Sequence, residues 1–229
     1  MAIAEPTPAV GTGADRRFVL YDVSWRFYEA FLAEMAERRI FLTYDRGTLE
    51  IMSPSEKLGR SSCLIGRMVE LLTEELEIPV DGLGMTTFRR EDRERGLEPD
   101  ECYYIRNEPL VRGKDEIDLT VDPPPDLAIE VDVSRNSLKK LDVYAALGFP
   151  EVWRFDGTTI HVHVLQGDGR YAVGGTSASF PFLPMAQLGR FLQMAPTMDK
   201  TSWARAFREW VRAEVAPRYQ EAVDEGPHP

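Results

Sequence analysis

The chain has 229 residues, 43% of them hydrophobic, which is enough for one domain with a substantial core. Its net charge of −11 excludes a broadly basic protein that holds nucleic acid by phosphate neutralisation over its whole surface. Cys63 and Cys102 lack CxxC spacing, so they support neither a disulfide framework nor a zinc ribbon. No apolar run approaches the roughly 20 residues of a membrane span, and no signal-peptide pattern begins the chain. We therefore expect a cytoplasmic protein without a membrane partner.

Both ends of the chain are rich in small residues, proline and glycine and lack apolar periodicity. Such segments bury too little apolar surface to become ordered, so we expect disordered tails at residues 1–17 and 216–229. The region between them, residues 18–215, is predicted to be a single domain.

The first predicted element is an amphipathic helix over residues 24–38, in which apolar residues recur at three- and four-residue spacing. Two short strands then flank Asp45-Arg46-Gly47, a hairpin turn signal. A long helix follows over residues 55–77. Beta-branched and aromatic residues predict strands at 82–90 and 96–107.

A further strand lies in "PPPDLAIEVDVS", and a helix follows over residues 136–147. Gly148 suits the end of that helix, and Pro150 prevents its continuation. Three more strands and two closing helices complete the chain. The central order of helix, three strands, helix and strand predicts an α/β fold with a mixed sheet.

The strand in "PPPDLAIEVDVS" combines an apolar face with an acidic one. Because side chains alternate on a strand, Leu127, Ile129, Val131 and Val133 share one face, and Asp126, Ala128, Glu130 and Asp132 share the other. Glu130 and Asp132 are then roughly 7 Å apart, a separation at which two like charges repel by roughly 2 kcal/mol at an effective dielectric of about 20. We therefore expect a cation beside them.

Two cations are candidates for that position, a divalent metal ion and a lysine. Asp100, in "EPD", joins the carboxylates if its strand neighbours the Glu130 strand, and clusters of carboxylate oxygens suit Mg²⁺ or Mn²⁺. Lys140 lies in the first turn of the following helix, on the flank of a face formed by Leu138, Leu141 and Ala145. Its long stem allows the amine to reach back toward the strand.

The strings "EPDECYYI" and "PPPDLAIEVDVSRNSLKKLDVYAALGFPEVWRFDG", with "TLEIMSPSE" upstream, resemble the Uma endonuclease family within the PD-(D/E)xK nuclease superfamily. The resemblance covers roughly residues 24–195. It implies a restriction-endonuclease-like core of helix, three strands, helix and strand. It also implies that Asp100 and Glu130 are metal ligands.

The superfamily lysine normally stands two residues after the second acid, where this chain has Asp132. Lys140 matches the position of family members in which the lysine has moved to the next helix. The resemblance thus implies Asp100, Glu130 and Lys140 as catalytic residues. Asp132 is a departure from the superfamily pattern, and we expect it to be an additional ligand of Mg²⁺ or Mn²⁺. Two consequences of Asp132 stay open, tighter metal binding and loss of cleavage.

Three functions are compatible with these residues. The first hypothesis is a Mg²⁺-dependent endonuclease that hydrolyses DNA phosphodiester bonds by activating a metal-bound water. The second is a catalytically inactive member of the fold that serves as a binding or interaction module. The third is a metal-dependent phosphohydrolase acting on small nucleotides.

DNA binding by such an acidic chain requires local basic patches. The candidates are three groups of cationic residues. Separately, by analogy with other nucleases of this fold, we expect a homodimer. The groups are Arg89, Arg90, Arg93 and Arg95, then Arg106, Arg112 and Lys114, and finally Arg205, Arg208 and Arg212.

Overall fold

The computed structural model describes residues 16–35, 38, 40–53, 55–132 and 140–224, which form a mixed α/β fold. The strands are β1 (Arg16–Leu20), β2 (Phe41–Asp45), β3 (Thr48–Ser53), β4 (Asp81–Gly82), β5 (Phe88–Arg90), β6 (Arg95–Leu97), β7 (Glu101–Tyr104), β8 (Leu127–Val131), β9 (Glu151–Phe155), β10 (Ile160–Leu165) and β11 (Tyr171–Gly174). The helices are α1 (Trp25–Met35), α2 (Glu56–Glu75), α3 (Glu108–Val111), α4 (Lys140–Leu147), α5 (Met185–Met194), α6 (Lys200–Trp210) and α7 (Ala216–Asp224).

The strands form two sheets. The N-terminal sheet has five strands in the order β1-β3-β2-β6-β5, and all its pairs are antiparallel. The central sheet has six strands in the order β11-β10-β9-β8-β7-β4, in which only the β8–β9 pair is parallel. The predicted hairpin is confirmed, since β2 and β3 pair across the turn at Arg46 and Gly47.

The predicted order of the core elements is confirmed. It runs α2, β4, β7, β8, α4 and β9, which is helix, three strands, helix and strand. Helix α4 connects the parallel strands β8 and β9, as a parallel pair requires a long crossover. This is the restriction-endonuclease-like α/β arrangement.

Two of the predicted strands are each divided between the sheets. Residues 82–90 contribute β4 to the central sheet and β5 to the N-terminal sheet. Residues 96–107 contribute β6 to the N-terminal sheet and β7 to the central sheet, with a break at Glu98-Pro99-Asp100. The missing N–H of Pro99 is one physical reason for that break.

Strand β8 is buried on both faces. Leu127, Ile129 and Val131 pack in a core with α2, α5 and α6, while Ala128 packs in a second core with α4. The predicted apolar face of this strand thus packs on helices, while Val133, assigned to the same face, lies outside the described residues. The other face is covered as well, because α4 lies between the central sheet and β2, β5 and β6.

Helix α4 presents a different face from the predicted one. Residues 136–139 of the predicted helix, including Leu138, lie outside the described residues. Within α4 the buried residues are Lys140, Val143, Tyr144 and Leu147, whereas Leu141 and Ala145 are only partly buried. Lys140 therefore occupies the buried face rather than its flank. The helix ends as predicted at Gly148, whose φ of +85° is accessible to glycine.

Both predicted tail boundaries differ from the structure. Strand β1 begins at Arg16, within the predicted N-terminal tail, and pairs with β3. Helix α7 covers Ala216–Asp224, which was assigned to the C-terminal tail. It continues a helical run through the π-helical segment Val211–Val215. Among the described residues, no helix is long and apolar enough to cross a membrane.

Candidate active site

The predicted acidic face consists of Ala128 and Glu130 in β8 and of Asp126 and Asp132, which flank the strand, and the four side chains have different environments. Asp126 stabilises the turn after β7, because its carboxylate accepts hydrogen bonds from the backbone N–H groups of Ile105 (2.7 Å) and Asn107 (2.9 Å). Ala128 packs in the core against α4. Glu130 and Asp132 are both buried but have different partners.

Asp100 meets Glu130 through the pairing of β7 with β8. The antiparallel register pairs Glu101 with Ile129, and continuing it by one residue sets Asp100 opposite Glu130 on the same face. The backbone supports this position, since the Asp100 N–H donates to the Ile129 carbonyl at 3.2 Å. One Asp100 oxygen, Oδ2, accepts a 2.6 Å hydrogen bond from the Val131 N–H. The other, Oδ1, is buried and has no protein partner among the described residues.

Helix α4 provides two hydrogen-bond donors to Glu130. The Lys140 ammonium donates to Oε1, and the Tyr144 hydroxyl donates to Oε2 at 2.9 Å. Residues 140 and 144 lie one turn apart on a helix, so both reach the same carboxylate. The side chains of Glu130, Lys140 and Tyr144 are buried, as is that of Asp100. The structure thus brings together Asp100, Glu130 and Lys140, the three predicted catalytic residues.

Burial and charge perturb the pKa values of these groups. Burial, with a further contribution from the Glu130 carboxylate, raises the pKa of Asp100 to about 8, and the nearby Lys140 ammonium only partly opposes this. Burial alone would lower the pKa of Lys140, but the Glu130 and Asp100 carboxylates outweigh it and raise that pKa. Lys140 is therefore a cation at neutral pH, while the Asp100 carboxyl retains its proton to a higher pH than an ordinary aspartic acid.

Asp132 belongs to a separate ion-pair cluster. Its carboxylate accepts hydrogen bonds from Arg154 of β9 at 2.9 Å and from Arg17 of β1 at 3.4 Å. Across the described part of the chain, no group of three or more acidic, histidine or cysteine side chains is arranged to hold a metal ion. Asp100 and Glu130 lie together, while two arginines bind Asp132, and the role of Asp132 as an additional metal ligand stays a prediction.

Sequence reasoning did not identify Tyr144, Arg17 or Arg154 as parts of this region. The spacing of Tyr144 from Lys140 is a signal that could have found it, since residues four apart on a helix share a face. Arg17 stood in a predicted tail, and no local pattern connects it with Asp132, 115 residues away.

Glu98, two residues before Asp100, faces a cavity. Its carboxylate accepts hydrogen bonds from the Thr87 hydroxyl (2.7 Å) and the Leu42 N–H (3.3 Å), and burial raises its pKa. The cavity has a volume of about 470 Å³ and lies between α1 and strands β2 and β5.

The predicted basic groups are largely paired with acids of this chain. Arg90 contacts Asp92, and Arg95 contacts Asp45 at 3.1 Å. The next group pairs similarly, Arg112 with Glu108 and Lys114 with Asp122. In the last group, Arg208 and Arg212 both bind Glu75 and connect α2 to the C-terminal helices. Many of these cations thus already have an acidic partner within the chain, and DNA binding through the three groups stays a prediction.

The helix–three strands–helix–strand core, with paired acids and a lysine at its centre, defines a restriction-endonuclease-like protein. The chain matches the family model Uma2, described as "Putative restriction endonuclease", over residues 27–195, and it belongs to that family. The family resemblance of its motifs is thereby confirmed.

Among solved structures, the chain is similar to one described as "a putative nuclease belonging to DUF820" from Anabaena variabilis. The identity is 17%, the match covers 71% of this chain and 90% of that chain, and the TM-score is 0.41. A comparison with curated proteins finds no match.

Proposed function

We propose that this protein is a metal-dependent nuclease that hydrolyses DNA phosphodiester bonds, with Asp100, Glu130 and Lys140 as its catalytic residues. The observation that carries the proposal is the meeting of two buried carboxylates from neighbouring strands, with a lysine ammonium bound to one of them. Membership of a family described as "Putative restriction endonuclease" supports the same reaction class.

The donor set fits Mg²⁺ or Mn²⁺. Asp100 Oδ1 is a buried carboxylate oxygen without a protein partner among the described residues, which is costly unless a cation or water satisfies it. Each Glu130 oxygen accepts one protein hydrogen bond and retains a further lone pair. Mg²⁺ is commonly held by one or two carboxylates, with waters and substrate phosphate oxygens completing its shell. When bound, the ion supplies an acidified water and charge neutralisation.

The protein's own groups prepare this site. Lys140 and Tyr144 fix the orientation of the Glu130 carboxylate from one side, and the Val131 N–H fixes that of Asp100. The Lys140 ammonium, positive at neutral pH, also offsets the negative charge that develops on a phosphate in the transition state.

A catalytically inactive binding module is the second candidate, and one observation favours it. The Glu130 charge is already balanced by Lys140, and the Asp132 charge by two arginines, so part of the site is stable without a metal ion. Metal binding and cleavage therefore have to be measured together.

The test is nicking of supercoiled plasmid DNA in Mn²⁺ or Mg²⁺, with EDTA as the blank. We expect cleavage by the wild type and its loss in Asp100→Asn and Lys140→Ala. Lys200→Ala is the matched control, because Lys200 is an exposed lysine of α6, a helix that packs on the opposite face of the central sheet. In parallel, Mn²⁺ should raise the melting temperature of the wild type but not of Asp100→Asn.

The alternatives give different results. Metal-dependent stabilisation without nicking supports the binding module, and cleavage of mononucleotides but not plasmid supports a phosphohydrolase of small nucleotides. Equal nicking by wild type and Asp100→Asn would refute the proposed site.

A further inference from the structure

The position two residues after Glu130 is acidic in this chain, and that acid holds two guanidinium groups. Arg154 donates from one terminal nitrogen to Asp132 Oδ2 at 2.9 Å, and Arg17 donates to Asp132 Oδ1 at 3.4 Å. Arg17 also contacts Glu50 of β3 at 3.3 Å. The cluster therefore combines two buried acids with two arginines that come from different sheets.

Strand pairing sets Arg154 beside the proposed catalytic residues. The parallel register of β8 and β9 places Arg154 opposite Glu130, and neighbouring residues of adjacent strands project to the same face of the sheet. Val152, two residues earlier on β9, packs with α4 on this face. Arg154 thus extends from the face that carries Glu130 and Lys140.

The two arginines differ in exposure. The Arg17 side chain is 11% exposed, whereas that of Arg154 is 39% exposed. Buried Asp132 accepts from one terminal nitrogen of Arg154, while the Arg154 side chain as a whole is partly exposed to solvent. A guanidinium carries five N–H donors, which permits a carboxylate on one edge and a phosphate on another.

We propose that Arg154 binds a phosphodiester group of the substrate, and that Asp132 is the residue that positions it. This inference rests on the proposed function. It gives Asp132 a role other than metal binding. Asp132 would orient the guanidinium of Arg154, which comes from the adjacent strand β9. Arginine suits the task, since its planar fork matches the geometry of a phosphate. Arg17 donates to the other carboxylate oxygen, Oδ1, and so helps to orient Asp132.

The experiment measures both DNA binding and cleavage. Binding of a fluorescent duplex is titrated in EDTA at several salt concentrations, and KM and kcat are measured in Mn²⁺. The variants are Arg154→Gln, Arg154→Lys and Asp132→Asn. Arg190→Gln is the control, because Arg190 is an exposed arginine of α5, which packs on the opposite face of the central sheet.

We expect Arg154→Gln to weaken DNA binding roughly tenfold or more, as for loss of a hydrogen bond to a charged group. The slope of log affinity against log salt should fall in magnitude by about 1, the value for one phosphate contact. Arg154→Lys should recover part of the affinity, Asp132→Asn should raise KM more than it lowers kcat, and Arg190→Gln should match the wild type.

The results separate this inference from the proposed function. Wild-type affinity and salt slope in Arg154→Gln would overturn the inference even if the enzyme cleaves DNA. DNA binding that depends on Arg154 without any cleavage would support the inference and refute the nuclease proposal. A wild type that neither binds nor cleaves DNA would refute both. Arg154→Lys retains a cation for Asp132, so it provides a folded variant if Arg154→Gln is unstable.

Discussion

The charge balance at the centre of the fold depends on the Lys140 side chain. Its ammonium is buried against Glu130 and lies close enough to Asp100 to influence the pKa of that carboxyl. Removing one partner of a buried ion pair leaves the other charge without compensation, which typically costs about 3–5 kcal/mol.

Lys140→Met should therefore lower the free energy of unfolding by about 3–5 kcal/mol in EDTA at pH 7.5. Adding Glu130→Gln should recover most of the loss, because the double variant no longer buries an unpaired Glu130 charge. Urea denaturation of the wild type, both single variants and the double variant measures the coupling. Additive effects of the two substitutions would show that the pair is not energetically coupled.

The protonation of Asp100 makes stability pH-dependent. Its pKa is raised from 3.8 in the unfolded chain to about 8 in the folded protein. The folded state therefore retains a proton that the unfolded chain releases above about pH 4. This contribution to stability is fully present below pH 3.8, decreases as the pH rises, and is lost above about pH 8.

Asp100→Asn should thus be more stable than the wild type at pH 8 in EDTA, with a smaller decrease of the melting temperature between pH 5 and pH 8. The amide is isosteric and carries no charge to desolvate. Asp115→Asn, at an exposed position, should follow the wild-type profile. A wild-type melting temperature that rises from pH 5 to pH 8 more than that of Asp100→Asn would contradict the prediction.

The sequence revealed part of this site for a definite reason. Alternation along β8 is a local pattern that predicts the acidic face with Glu130, whereas the roles of Asp100 and Lys140 were implied by the resemblance to the Uma family. The structure brings the three side chains together. The partners of Asp132 could not be predicted, because Arg17 lies 115 residues away and reaches it only through the pairing of β1 with β3. A carboxylate on a face with other acids resembles a metal ligand until its distant arginines are known.

Packing of α2 on the central sheet depends on Gly66. A Cβ atom at this position would lie 2.7 Å from the Tyr103 hydroxyl oxygen of β7, which is closer than non-bonded atoms approach. Helix α2 supplies Ile65, Met68 and Val69 to the core at the same level. The absence of a side chain at residue 66 therefore sets how closely helix and strand approach.

Gly66→Ala should destabilise the fold by about 1–3 kcal/mol, the usual cost of overpacking. Tyr103→Phe removes the closest atom, so the same substitution should cost less in that background. Gly189→Ala is the control in α5, where a Cβ would meet its nearest atom at 3.9 Å and helix propensity favours alanine. Thermal denaturation of Gly66→Ala, Tyr103→Phe, the double variant and Gly189→Ala tests whether the destabilisation is steric. An equal loss of stability from Gly66→Ala in the wild-type and Tyr103→Phe backgrounds would exclude a steric clash with the hydroxyl.

Helices and hairpins were predictable from the sequence, while the assignment of strands to sheets was not. The turn at Arg46-Gly47 and the end of α4 at Gly148 rest on local backbone preferences. Residues 96–107 have strand propensity throughout, but the chain leaves one sheet at Glu98 and enters the other after Asp100. Strand propensity predicts an extended backbone but not the strand with which it pairs. The division into two sheets was therefore not predictable from the sequence.

At the scale of the whole molecule, the C-terminal region is part of the core. Trp203 and Phe207 of α6, together with Val211 and Val215 of the π-helical segment, are buried in the same cluster as Trp153 of the central sheet. Helix α7 buries none of its residues and contributes only partial packing from Ala216 and Tyr219. The two parts of the C-terminal region therefore differ in their importance for folding.

Truncation tests this division directly. A chain ending at residue 215 should remain folded with a small loss of melting temperature, because only partly buried contacts of α7 are removed. A chain ending at residue 199 should fail to fold. Loss of the buried side chains of Trp203, Phe207 and Trp210 creates a cavity that the remaining side chains cannot fill. Cooperative unfolding and near-ultraviolet circular dichroism measure the outcome. A cooperative transition in the 199-residue chain would show that the central sheet is stable without α6, and collapse of the 215-residue chain would assign α7 to the essential core.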